Sequence, residues 1–218
     1  KIEVVPLGLD LKKFSHNLVK KRQKKRAEFE ISNDQVLISI IGRLVPIKNH
    51  KFFIDVINFC RKKTNFKLKA LVIGDGSEIN NLINYAKSLG LKYNYKKMIT
   101  KDYDIFFCSW KEDIDSFLAA SDILTLTSIN EGTPVSIIEA MVSGTACVST
   151  NVGGVSDIIE NNKSGIISNA NVSEFSKCLL KLINDENYRN KIGLNAKKRS
   201  LELFDYEILS HNVKKLYE

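Results

Sequence analysis

The chain has 218 residues, with 33 Lys+Arg against 25 Asp+Glu, a formal charge of +8, 44% hydrophobic residues and 27% charged residues. This balance is that of a soluble globular protein; it excludes a disordered tail, a collagen-like repeat and a disulfide scaffold. The length suits one large domain or two small ones, and no window approaches the roughly 18 apolar residues of a membrane-spanning helix.

Lys1-Ile2-Glu3-Val4-Val5-Pro6 is followed by no apolar h-region or small-residue cleavage site, so no signal peptide is expected. With no initiator Met and a strand expected at once over residues 2–6, the chain reads as part of a longer protein. Residues 14–30 are polar and helical in part. Residues 36–41 form a continuous apolar strand ending at Gly42, and 49–63 a helix with Phe52, Phe53, Val56, Ile57 and Cys60 at helical spacing. Residues 66–73 are a strand, and 77–89 a helix with Ser77 as cap and Gly90 past its end. Strands follow at 105–108 and 123–127, with a short helix at 114–120 between them. A helix spans 134–142 with Pro134 in its first turn. Residues 146–150 and 165–168 are strands, and 155–161 a short helix. Helices fill 172–184, 187–203 and 206–217.

About seven strands, apolar on both faces and each followed by a helix, imply one α/β domain: a Rossmann-like, doubly wound parallel sheet with helices on both faces. Ligands in such sheets bind outside the carboxyl ends of the strands. The loops after Ile41, Ile73, Cys108, Thr127 and Thr150 are therefore the places to search. Cys60, Cys108, Cys147 and Cys178 show no C-x-x-C spacing, and His16, His50 and His211 do not pair at metal-ligand spacing, so buried reduced thiols and no zinc site are expected.

Four segments stand out. Gly42-Arg43-Leu44-Val45-Pro46-Ile47-Lys48-Asn49 places a planar guanidinium and a point charge around a strand-to-helix turn, an arrangement suited to an anion, with a solvated loop of a lysine-rich chain as the alternative. Ile73-Gly74-Asp75-Gly76 begins like a dinucleotide fingerprint, but residue 79 is Ile where the third glycine would stand, so a tight turn is expected. In Thr127-Ser128-Ile129-Asn130-Glu131-Gly132-Thr133-Pro134-Val135, Glu131 lies in a turn that leads into the helix carrying Glu139. Glu139 shares an apolar face with Val135, Ile138 and Val142, a costly place for a carboxylate without hydrogen-bond donors. Ribose hydroxyls would serve; a general acid/base pair or two ordinary surface acids are the alternatives. Asn151-Val152-Gly153-Gly154 is a glycine turn that lines the same cleft or only closes a tight turn.

Taken in order, these segments resemble the C-terminal domain of retaining GT-B glycosyltransferases of family 4, the glycosyl transferases group 1 domain. Val5-Pro6-Leu7-Gly8-Leu9-Asp10…Phe14 is similar to the family's opening P-x-G-hydrophobic-D…F. Gly42-Arg43-Leu44…Lys48-Asn49 resembles its G-R-L…K-G/N segment. Gly74-Asp75-Gly76 resembles its G-x-G turn, and Ala120-Ser121-Asp122-Ile123 its A-x-D-hydrophobic entry. Glu131-Gly132-Thr133-Pro134…Glu139-Ala140-Met141…Gly144 resembles its E-x7-E signature, and Gly153-Gly154…Asp157 its G-G…E/D turn, with Asp where Glu is commoner.

The resemblance implies a nucleotide-sugar donor domain over residues 1–218, with UDP as the expected nucleotide. Arg43 and Lys48 would hold the diphosphate and stabilise the leaving group, and Glu131 would contact hydroxyls of the transferred sugar. Gly132, Thr133, Pro134 and Val135 would line the donor, and Glu139 would accept from the ribose. The base would lie against Ser109 and Trp110, where Trp110 either stacks on it or packs against the fold. The resemblance implies no cofactor and no divalent metal, because fixed cations replace one; Asp113-Ile114-Asp115 has a metal-binding spacing but opens a helix. It also implies a missing N-terminal acceptor domain, so that this chain alone binds nucleotide weakly and transfers nothing. The expected acceptor is a lipid-linked bacterial surface polysaccharide of O-antigen or capsule type. The alternatives are a GT-B relative such as a nucleotide-sugar epimerase, or a non-catalytic nucleotide- or polyanion-binding module. The expected location is cytoplasmic, with a peripheral contact on the inner face of the membrane.

Lys20-Lys21-Arg22-Gln23-Lys24-Lys25-Arg26 packs six cations into seven residues. The leading expectation is a solvated helix face. A second is attraction to anionic lipid, about 1 kcal/mol per cation near the surface. Nucleic-acid binding is not expected, since no aromatic-interleaved strand motif or recognition helix accompanies the charge.

Overall fold

The computed structural model describes residues 5–96 and 102–217. Seven strands form one sheet in the order β3-β4-β2-β1-β5-β6-β7, every pair parallel. They are β1 (Gln35–Ile41), β2 (Lys67–Ile73), β3 (Tyr93–Tyr95), β4 (Ile105–Cys108), β5 (Ile123–Leu126), β6 (Ala146–Thr150) and β7 (Ile166–Ser168). The helices are α1 (Lys12–Ser15), α2 (Leu18–Glu28), α3 (His50–Arg61), α4 (Ile79–Ser88), α5 (Ile114–Ala120), α6 (Val135–Val142), α7 (Val155–Ile158), α8 (Val172–Asn184), α9 (Glu186–Phe204) and α10 (Tyr206–Lys215).

The apolar strands are sandwiched, which is why they lack polar alternation. Val36, Ile38 and Ile40 of β1 enter one core with α3, α4 and α8, while Leu37 faces the opposite layer with Phe29, Phe106 and Phe117. The residues of α6 join a third cluster with Phe14 and Phe204 on that opposite face. Strand β1 therefore sends its chain to one face through α3, and its neighbour β5 sends its chain to the other through α6. The loops after β1 and β5 lie side by side at this switch point, the place at the carboxyl edge where ligands bind in open α/β sheets.

The expected strand at 2–6 lies in part outside the described residues, and Val5 and Pro6 are irregular. Nearby, Leu9 pairs with Asp205 at a single bridge. The seventh strand is instead Tyr93–Tyr95, at the sheet edge. Ser77 does not cap α4, because the amide of Glu78 is drawn to the carbonyl of Leu44 at 3.1 Å and the helix starts after it. Among the described residues, no helix is long and apolar enough to cross a membrane.

The basic stretch folds into α2 and is not a solvated face. Lys21 pairs with Asp115 at 2.8 Å, and Lys25 with Asp113 and Glu28 at 2.7 Å each. Arg22 and Arg26 share Asp122 at 2.7 and 3.0 Å. Arg26 also donates to the carbonyls of Ser32, Gln35 and Ala120. Lys25 and Arg26 are buried, and only Lys20 and Lys24 of the six cations stand exposed.

Candidate functional site at the sheet's carboxyl edge

Two turns meet in the crevice. After β1, Gly42 leads through Arg43 into a short 3-10 turn at Pro46–Lys48, and Asn49, in the left-handed region, opens α3. After β5, residues 127–134 lead into α6. The turns are stitched together by main chain and hydroxyls: the Ile129 amide donates to the Ile47 carbonyl at 2.9 Å, and Thr127 Oγ1 donates to the carbonyls of Lys48 and Asn49. The glycine turns support them from behind. A Cβ on Gly74 would lie 2.1 Å from the Gly42 carbonyl oxygen, and one on Gly153 1.7 Å from that of Glu131. The G-x-G and G-G segments are thus close-approach turns that hold the β1 and β5 loops in place.

Lys48 Nζ lies 2.6 Å from Glu131 Oε1, and Ser128 Oγ donates to the same oxygen at 2.5 Å. Arg43 is exposed, and among the described residues its guanidinium has no hydrogen-bond or ion-pair partner. The amides of Gly132, Thr133 and Val135 likewise meet no acceptor at the entry to α6, whose dipole adds partial positive charge there. Pro134 is buried at the N-terminus of α6. An unpartnered cation, an acid held against a lysine and amides without an acceptor among the described residues have the chemistry to hold an anion that carries hydroxyl groups.

Glu139, on α6, is half-buried and its carboxylate has no hydrogen-bond partner among the described residues. Burial pushes its pKa up; the positive charge of Lys13 opposes that shift and the negative charge of Asp115 adds to it. Its charged neighbours thus come from α1 and α5, whereas those of Glu131 come from the β1 and β5 loops. Past β4, Ser109 Oγ is buried without a partner, and Trp110 is 67% exposed, so the tryptophan is not part of the packing. The structure therefore joins Lys48 to Glu131 directly, with Gly42 beside the Lys48 side chain, Arg43 on the same turn, and Gly132, Thr133 and Val135 following Glu131 into α6. It places Glu139, Ser109 and Trp110 along the same carboxyl side, without contacts to that group.

His50 lies beneath the turn, 3% exposed, with neither ring nitrogen partnered, and burial together with the Lys48 charge pushes its pKa down to about 4. The sequence assigns no role to Ser128, because its bond to Glu131 is a side-chain contact made within the turn and matches no capping pattern. Lys13 and Asp115 carried no signal either, since tertiary packing alone brings them to Glu139. A hollow of about 350 Å3 lies elsewhere, among Arg22, Ala119, Asp122, Ser143 and Arg189. Its arginines are already committed: Arg22 to Asp122, and Arg189 to the carbonyls of Leu182 and Ile183.

The fold and the crevice define the class first: a doubly wound α/β domain with its charged site at the switch point of a parallel sheet. The family follows from comparison with known proteins. The model of the glycosyl transferases group 1 family matches residues 21–199, well over half of the chain, and the chain belongs to that family, as a C-terminal GT-B domain. It is 30% identical over 219 residues to the UDP-Gal:alpha-D-GlcNAc-diphosphoundecaprenol alpha-1,3-galactosyltransferase of Escherichia coli, covering 95% of this chain and 54% of that protein. Its fold superposes on the crystal structure of Anabaena Alr3699/HepE in complex with UDP and glucose, with a TM-score of 0.84 at 21% identity, over 99% of this chain and 56% of that one. It also superposes on the C-terminal domain of the group 1 protein LpcC from Francisella tularensis, with a TM-score of 0.74 at 24% identity, over 91% of this chain and 99% of that one. The chain spans about half the length of the curated relatives it matches.

Proposed function

We propose that this chain is the donor-binding half of a retaining glycosyltransferase. The complete protein moves a hexose or N-acetylhexosamine from a UDP-sugar to a lipid-linked acceptor of a bacterial surface polysaccharide. The observation that carries the reading is the Lys48–Glu131 contact at 2.6 Å, with the unpartnered Arg43 on the same turn as Lys48. A cation and an acid side by side suit a ligand that is anionic at one end and hydroxylated at the other. The E. coli relative, named for a UDP-galactose donor and a diphosphoundecaprenol-linked acceptor, supports the substrate class.

In this reading Arg43 and Lys48 bind the diphosphate and stabilise the charge that builds on it as the sugar leaves. The amides of Gly132, Thr133 and Val135 donate to the remaining phosphate or sugar oxygens. Glu131 takes a hydroxyl of the transferred sugar, Glu139 takes the ribose hydroxyls, and Ser109 with Trp110 forms the base subsite. The chain's own cations stand where a divalent ion would otherwise be needed. Transfer proceeds with no covalent intermediate on the chain, and needs the acceptor-binding half. The protein works on the cytoplasmic side, in peripheral contact with the membrane that carries its acceptor.

Calorimetric titration of the chain with UDP, GDP and their sugars tests this. UDP and one UDP-sugar bind, GDP binds more weakly, and the chain alone transfers no sugar to a glycan acceptor. Absence of binding by every nucleotide, or transfer by this chain alone, overturns the reading.

A further inference from the structure

We propose that Ser128 is a positioning residue that fixes Glu131 so that only one of its carboxylate oxygens is left to grip the transferred sugar. The proposal rests on the donor-site reading above and adds how that site selects the sugar.

Ser128 is 1% exposed at the end of β5, and its hydroxyl donates to Glu131 Oε1 at 2.5 Å. Lys48 Nζ donates to that same oxygen at 2.6 Å. A carboxylate oxygen offers about two lone pairs, so Oε1 is fully used, while Oε2 has no partner among the described residues. Ser128 is itself held: its carbonyl accepts the Thr150 hydroxyl from β6 at 2.8 Å, in a buried position. Its neighbours Thr127 and Ile129 are tied to the β1 loop on either side. The Glu131 carbonyl is closely covered as well, by Gly153, where no side chain fits.

The consequence is chemical. A sugar diol cannot straddle the two carboxylate oxygens and must present its hydroxyls to Oε2 alone. The direction of that oxygen is set by the Ser128 and Lys48 hydrogen bonds on its twin, which makes Glu131 a reader of hydroxyl configuration. Without the serine hydroxyl, Oε1 regains a lone pair, the carboxylate turns about its terminal torsion, and epimeric sugars become more nearly equivalent.

The test is titration of the wild-type chain, Ser128→Ala and Ser128→Thr with UDP, UDP-glucose, UDP-galactose and their two N-acetylhexosamine counterparts. Ser128→Ala removes atoms from a buried site, and an unfolding midpoint close to that of wild type shows that the fold survives. The expected result is a loss of about tenfold in the extra affinity that the preferred sugar adds over UDP, the size of one hydrogen bond to a charged group. The preference between C-4 epimers narrows as well, and Ser128→Thr restores part of both. Ser128→Ala with UDP binding and epimer preference both intact overturns the proposal alone. A wild-type chain that binds no UDP removes the donor-site reading and this proposal with it.

Discussion

The chain has two basic regions, and they use their charge in opposite ways. The stretch at 20–26 is the densest in the sequence, yet four of its six cations are ion-paired or buried against α5 and the ends of the sheet. The turn at 42–49 carries only Arg43 and Lys48. One of them has no partner in the described chain, and the other is set against a single carboxylate at the crevice. Charge density in a sequence therefore says little about ligands; what matters is how many acceptors the fold has already assigned to each cation. Two exposed lysines, Lys20 and Lys24, are all that α2 leaves toward a membrane surface.

The comparison breaks most clearly at Asp122. Its carboxylate serves Arg22, Arg26 and the Leu37 amide at once. Asp122→Ala would strand two guanidinium groups, one of them buried, and lower stability by about 3–5 kcal/mol. Denaturant unfolding reads this loss, and UDP affinity measured well below the midpoint stays at the wild-type level. A stability unchanged within error would mean that α2 is not clamped by its charges.

Beneath the second region, His50 reports how far the Lys48 charge reaches. Its ring is neutral in the folded chain, with a pKa near 4 against an ordinary 6.5. A histidine depressed in this way stabilises the fold above its unfolded pKa, and that contribution is lost as pH falls from 6.5 toward 4. The loss amounts to roughly 3 kcal/mol if the whole shift is realised. Unfolding midpoints measured between pH 7 and 4 should show the decline, and His50→Leu should flatten it. Lys48→Met should shrink it only in part, because burial is the larger cause.

Arg43→Ala inverts the outcome expected at Asp122. The guanidinium is exposed and supports nothing in the fold, so the unfolding midpoint should not move. UDP affinity should fall about 10- to 100-fold, the range for losing charge-assisted hydrogen bonds to phosphate. An Arg43→Ala chain that binds UDP like wild type would take this residue out of the site.

How legible the molecule was in its sequence follows the same division between local and assigned contacts. Strands β1 and β4 and the second half of β2 are largely apolar on both faces, and that pattern alone implied a covered parallel sheet. Tyr93-Asn94-Tyr95 was not legible as a strand, because it is three residues long and its hydrogen bonds come from β4 at the edge. Arg43, Lys48 and Glu131 could be singled out, since loops after parallel strands converge at the carboxyl edge whatever the details of packing. The partnering of Arg22 and Arg26 could not, because Asp122 lies about a hundred residues away in sequence and arrives only when α2 lies over the end of β5. The neighbours of Glu139 were hidden for the same reason.

Glu139 gives the smallest effect and the finest comparison, because here fold and ligand make opposite demands on one group. Burial raises its pKa, so the folded chain holds that proton more tightly than the unfolded chain does. Stability therefore rises as pH falls through the raised value, and at neutral pH the charged form costs the empty protein something. Glu139→Gln removes that cost and should raise the unfolding midpoint of the empty chain slightly, on the order of 1–3 °C. It should also weaken UDP a few-fold, because an amide oxygen accepts ribose hydroxyls less strongly than a carboxylate. Wild-type affinity for UDP should begin to fall at a pH above the usual carboxylate range, and the glutamine variant should lack that step. A variant that is neither more stable nor weaker in UDP binding would mark Glu139 as an ordinary helix residue with no donor to meet.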